Sequence, residues 1–199
     1  MFIVGFAGPG KVGKSTTVGK IYDILHADYL KYTCIRYAFA QPLYEIVSIL
    51  TGIPVDGLKN QKLKEVPWTK ETAPLPCLIG WTPRKLLETI GTNCFRLLVS
   101  ANIWVESTLQ KIRSYDIALI EDARFPNEYE LCDIVIELER DGIEYAKNHP
   151  AAMPPDKKYI WKTIKLHPEI DYKEICDKIV HEYLLRTIVK ESEEMGLYT

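Results

Sequence analysis

Gly8, four residues, then Gly13-Lys14-Ser15 form the stretch whose residue types and spacing point most directly to chemistry. G-x-x-x-x-G-K-[ST] is the pattern of a phosphate-binding loop. Gly8, Gly10 and Gly13 let backbone N–H groups converge on phosphate oxygens with no Cβ in the way. A helix opening after Gly13 would add the favourable end of its dipole. In such a loop Lys14 reaches the β- and γ-phosphates and Ser15 holds Mg²⁺. A glycine-rich turn that binds nothing is the competing reading, and the flanking sequence argues against it.

A phosphate loop needs a second anchor, an acidic residue ending a neighbouring strand that binds the metal or its water. Asp122 follows the apolar run Ile117-Ala118-Leu119-Ile120 and is the preferred candidate. Glu121 is adjacent, but strand alternation sends the two side chains to different sides. Arg124 comes two residues later, with a surface pair to Glu128 as the alternative to a phosphate contact. The chain has only seven arginines against eighteen lysines, and Arg84, Arg96, Arg124 and Arg140 stand at the edges of expected elements. Transfer to an acceptor that is itself a phosphate brings two anions together, and the planar guanidinium fork suits that neutralisation better than an ammonium. Arg113 and Arg186 read as solvated helix positions.

These residues need a scaffold. Phe2, Ile3, Val4 and Phe6 make a buried strand before the loop, and a helix from Lys14 to about Lys31 follows it. Further strands are expected at Thr33–Phe39, Asp116–Glu121, Asp133–Leu138 and within Tyr159–Leu166. Helices are expected from Pro42, its first residue, to Leu50, near Leu58–Val66, from the Thr82 cap and Pro83 onward, over about Ala101–Ser114 and Tyr172–Glu194. Trp104 reads as core rather than pocket. The alternation implies a three-layer α/β/α fold of the phosphate-loop NTPase type, with a mostly parallel sheet of about five strands. Ligand groups then gather at the carboxyl ends of the strands. The whole chain, 1–199, reads as one kinase domain. It would carry an acceptor-binding helical or flap insertion at about 51–100 and a lid at about 141–158.

Composition narrows the classes. With 47% hydrophobic and 26% charged residues the chain is that of a globular protein, and its net charge of −2 gives no argument for nucleic acid or a membrane surface. No apolar run approaches a membrane span, and the start lacks the basic region of a signal peptide. Cys34, Cys77, Cys94, Cys132 and Cys176 show no metal or disulfide spacing and read as buried free thiols, so a cytoplasmic location is expected.

The blocks GFAGPGKVGKST, YAFAQPLYEI, TPRKLLETIGTNCFR, NIWV and IEDARFPNE together resemble the phage-type deoxynucleoside monophosphate kinases, over roughly the first 140 residues. The resemblance implies ATP, Mg²⁺ and conversion of a dNMP to the diphosphate. It implies that Gly8, Gly10, Val12, Gly13, Lys14, Ser15 and Thr16 bind the donor, with Ser15 and Asp122 toward the metal. Arg84, Arg96 and Arg124 become candidates for the acceptor or transferred phosphate, and Arg140 for the lid side. Two positions depart from the pattern. Where the family often has Phe-Ala-Asp-Pro-Leu-Lys this chain has Phe39-Ala40-Gln41-Pro42-Leu43-Tyr44, and Glu88 stands where glutamine is frequent. The expected partners are therefore small nucleotides, with a homodimer left open. The alternatives are a kinase of a hydroxyl acceptor such as dephospho-coenzyme A and a nucleotide-dependent regulatory module; no N-K-x-D block of a guanine switch is present.

Overall fold

The computed structural model describes residues 1–145 and 154–194, and it divides into two compact units: residues 1–38 with the chain from Lys111 onward, and Phe39–Gln110. The expected lid at about 141–158 thus lies partly outside the described residues.

The first unit is built on a five-stranded sheet: β1 Phe2–Ala7, β2 Cys34–Tyr37, β3 Ile117–Ile120, β4 Ile134–Glu139 and β5 Lys162–Lys165. Its order is β2-β3-β1-β4-β5 and all four pairings are parallel. This is the α/β class that the sequence implies. β1 is central and every one of its six residues is buried, which explains its unbroken apolar run. Helix α1, Lys14–Asp28, returns from β1 and packs with α7, Tyr172–Glu194. Phe2, Val4 and Phe6 meet Val18, Ile21 and Leu25 of α1 and Cys176 and Ile179 of α7 in one apolar cluster. Each such large side chain contributes about 1.5–3 kcal/mol on burial.

Register fixes what arrives at the carboxyl edge. Gly5 pairs with Ile120 and Ala7 with Glu137, so the glycine-rich loop after β1, Glu121-Asp122 and Arg140 leave the sheet on the same edge. The chain moves to one side of β1 for β2 and β3 and to the other for β4 and β5, making the end of β1 a topological switch point.

The second unit contains α2 Gln41–Thr51, α3 Val55–Lys59, a short 3₁₀ turn Pro76–Leu78 and α4 Pro83–Glu88. A π-helical stretch, Thr89–Arg96, continues from α4, and most of α5, Ile103–Ile112, follows. Thr82 caps α4 as expected, accepting the Lys85 N–H at 3.1 Å. Pro42 occupies the second helical position rather than the first, because Ala40 is the cap. The irregular stretch after α2 is organised by its own core of Val47, Leu58, Trp68, Leu78, Leu86 and Leu87. It is cinched where Trp68 donates to Trp81 O and Gly80 donates to Trp68 O, both at 2.8 Å. Trp104 is buried, and its indole N–H donates to the Gly91 carbonyl inside the π-helical stretch at 3.0 Å.

Two expectations are refined. Arg186 is exposed on α7, as expected, yet it is tied to the sheet: its guanidinium bonds Asp133 Oδ1 at 3.2 Å and Asp133 O at 2.8 Å and lies 5.6 Å from the Phe2 ring. The five cysteines are free thiols, but Cys132 is half-buried and Cys77 and Cys94 are exposed, Cys77 in the 3₁₀ turn and Cys94 in the π-helical stretch, both outside the second unit's apolar core. No helix among the described residues is long and apolar enough to cross a membrane.

Candidate functional site

The loop between β1 and α1 takes a conformation only its residues allow. Gly8 has φ +138° and Gly13 φ +111°, and Lys11 also enters the left-handed region at φ +66°. A Cβ on Gly8 would lie 2.6 Å from the Leu138 carbonyl oxygen, so the backbone approaches β4 more closely than any side chain permits. Val12 is fully buried and anchors the loop. Gly10 has open space around it, and Ser15 and Thr16 are exposed in the first turn of α1.

Lys14 folds back over this loop, donating to Gly8 O at 2.6 Å and Pro9 O at 2.8 Å. Burial foremost, and then the nearby Arg124 charge, push its ammonium down to about 8 against the opposing charges of Asp122 and Glu121. Lys14, Arg124, Asp122 and Glu121 therefore share one electrostatic environment at the edge of β3. Arg140, at the end of β4, comes to the loop as well: a Cβ on Gly13 would meet its Nη2 at 3.1 Å. Arg140 also walls a cavity of about 270 Å³ beside Pro9, with Asp141, Ile143, Tyr145 and Lys165.

The two acids are held differently. Arg36 donates from Nε and Nη2 to the same Glu121 oxygen, at 2.9 and 2.6 Å, linking β2 to the end of β3. Glu128 is 2% exposed and accepts the backbone N–H groups of Arg124 at 2.8 Å and Phe125 at 3.1 Å. It thereby caps α6, Pro126–Leu131, a helix the sequence reading did not place. Buried Glu128 thus positions the Arg124 backbone and is no surface partner. The signal was available in Phe125-Pro126-Asn127-Glu128, a proline one residue inside the cap and an acid two further on.

Arg84 and Arg96 belong to the second unit. Arg84 pairs with Glu65, and Arg96 donates to Ala101 O at 3.2 Å. The structure thus brings Lys14, Asp122, Arg124 and Arg140 to one edge of the first unit, while Arg84 and Arg96 lie in the other unit.

The cradle fits polyphosphate, because the places a Cβ would occupy are filled or conformationally barred at Gly8 and Gly13. Among the described residues no group of three or more His, Cys, Asp or Glu side chains could hold a metal. Mg²⁺ commonly uses only one or two carboxylates together with substrate phosphates, so a hydroxyl and an acid at this edge fit it.

Among curated proteins, the deoxynucleoside-5'-monophosphate kinase of Escherichia phage T5 is 27% identical to this chain, covering 71% of the chain and 75% of the relative. The chain resembles the phage-type deoxynucleoside monophosphate kinases. A protein of Acanthamoeba polyphaga mimivirus, provisionally named a deoxynucleotide monophosphate kinase, is 26% identical over 76% of the chain and 80% of its own length. No family model matches. A gluconokinase from Sinorhizobium meliloti 1021 covers 96% of this chain and 97% of its own at 13% identity, with a TM-score of 0.38, a likeness too slight to add to the sequence relatives.

Proposed function

We propose that the chain is an ATP-dependent kinase that transfers a phosphoryl group to the phosphate of a deoxynucleoside 5'-monophosphate. The observation that carries this reading is the glycine-shaped loop at the switch point, with Lys14, Asp122, Arg124 and Arg140 on one sheet edge. The names of the two viral relatives support the choice of acceptor.

In this reading the loop N–H groups and Lys14 bind the donor phosphates, Lys14 exchanging its two carbonyl partners for phosphate oxygens. Ser15 and Asp122 would hold Mg²⁺, which supplies charge neutralisation when bound. Arg124 and Arg140 neutralise charge beside the loop, and Arg84 and Arg96 serve the acceptor from the second unit, within an acceptor-binding part at about 51–100. The acceptor phosphate is already ionised, so the reaction needs positioning and charge more than a general base.

A coupled assay with ATP, Mg²⁺ and a panel of dNMPs, NMPs and hydroxyl acceptors tests the reading. Turnover with at least one dNMP well above every hydroxyl acceptor is expected. Turnover with a hydroxyl acceptor alone would replace the proposal with the hydroxyl-kinase reading.

A further inference from the structure

Arg36, on β2, grips the residue next to Asp122. Its Nε and Nη2 both donate to Glu121 Oε2, at 2.9 and 2.6 Å. Register explains why the two meet. Arg36 pairs with Leu119, and Leu119 belongs to the apolar cluster that α1 covers. Strand alternation puts Leu119 and Glu121 on that same face. The Glu121 N–H still donates to Tyr37 O at 3.1 Å, which carries the pairing with β2 one residue past β3. The carboxylate is the more enclosed partner, with its side chain 16% exposed against 38% for Arg36.

Helix α1 leaves room for this guanidinium. A Cβ on Gly19 would lie 3.1 Å from Arg36 Nη1, closer than ordinary van der Waals contact. Glycine is otherwise a poor residue inside a helix, and Gly19 sits one turn beyond Ser15.

Glu121 stands close enough to the loop for its charge to act on the Lys14 ammonium. It therefore acts on any anion that Lys14 holds. A nucleoside triphosphate brings several negative charges to a loop that Asp122 already flanks, and in a site partly shut from water such charges are screened less than in bulk. Arginine suits the cancelling of Glu121, because it stays charged and its fork places two donors in a fixed geometry.

We propose that Arg36 is a positioning residue for the donor phosphates, acting through Glu121: it holds and neutralises that carboxylate so that the loop can accept a polyphosphate. The identity of the anion as a nucleotide polyphosphate rests on the kinase reading above.

The test measures calorimetric binding of ATP and of inorganic tripolyphosphate with metal chelated away, together with the melting temperature. It uses wild type, Arg36→Met, Glu121→Gln and the double variant. Lys178→Met, which breaks an ion pair with Glu174 on α7, controls for lost formal charge. Arg36→Met should weaken both ligands by about fivefold, a screened value because Arg36 is partly exposed. Removing the carboxylate as well should return binding to within about twofold of wild type, while the melting temperature, lowered by loss of the clasp, does not recover. Glu121→Gln alone should bind both ligands at least as tightly as wild type, and Lys178→Met should bind them as wild type does. If Arg36→Met fails to fold, Arg36→Gln, which keeps a donor and loses the charge, takes its place in the same cycle. A double variant that binds no better than the Arg36 variant overturns the proposal. So does an Arg36 variant that binds as wild type does, or a Lys178→Met protein that loses as much. Wild-type protein that binds ATP and phosphorylates no dNMP overturns the acceptor reading instead, and the rescue of tripolyphosphate binding would still retain Arg36 in its role. Wild-type protein that binds neither ligand overturns both.

Discussion

Lys14 donates to two loop carbonyls at the surface of the first unit's core, so its removal takes away an ammonium without opening that core. Lys14→Ala should stay folded by circular dichroism and lose at least about a hundredfold in turnover, the scale of a preorganised charge contact. Unchanged turnover in the folded variant would remove the loop from catalysis. Arg124 is different, because its backbone is pinned by buried Glu128 while its guanidinium extends toward the Lys14 environment. Arg124→Lys keeps the charge and loses the fork. Turnover or the KM for dNMP should worsen while ATP affinity stays near wild type, and steady-state kinetics against both substrates separates the two.

The loop and the edge of the sheet are where whole elements depend on single positions. Gly8→Ala would force a Cβ onto the Leu138 carbonyl oxygen at a φ that L-residues rarely adopt. It should lower stability by about 1–3 kcal/mol and also weaken nucleotide binding. A melting temperature and nucleotide affinity both equal to wild type would show that β4 can give way there. The β2–β3 junction relies on Asp116, whose carboxylate accepts the Thr33 N–H at 2.9 Å and the Thr33 hydroxyl at 2.8 Å. The backbone bond from Thr33 is the main reason its carboxyl is held below the ordinary 3.8. A depressed acid stabilises the fold above its unfolded value, and the contribution is lost as pH falls through the folded value. Asp116→Asn should therefore flatten the acid limb of stability below about pH 4, read as denaturation midpoint against pH.

Across the first unit, Arg186 joins the last helix to the sheet by bonding Asp133, whose other oxygen accepts the Ile3 N–H at 2.8 Å. Arg186→Ala should lower stability by about 1 kcal/mol, visible as a fall of a few degrees in the melting temperature. Arg113→Ala, at an exposed position just past the end of α5, should change it little. Equal effects of the two substitutions would show that the Asp133 clasp adds no stability.

What the sequence by itself determined is local and periodic. The Gly8–Ser15 spacing, the apolar run of β1, the Thr82-Pro83 start of α4 and the alternation of strands with helices each rest on neighbours along the chain. These features were enough for the glycine-rich loop between β1 and α1 and for the parallel α/β class. Only the tertiary structure decided the pairings between distant residues. Arg36 on Glu121, Arg186 on Asp133 and the lysines around Tyr44 are separated by 15 to 85 positions, and no periodicity encodes which cation meets which acid or ring. The stretch after α2 was illegible for the same reason. Its order comes from Leu58, Trp68 and Leu78 finding a common core, a contact set that Pro- and Lys-rich local sequence conceals. Glu128 shows the boundary between the two, since its place near the start of α6 was local information and its burial was not.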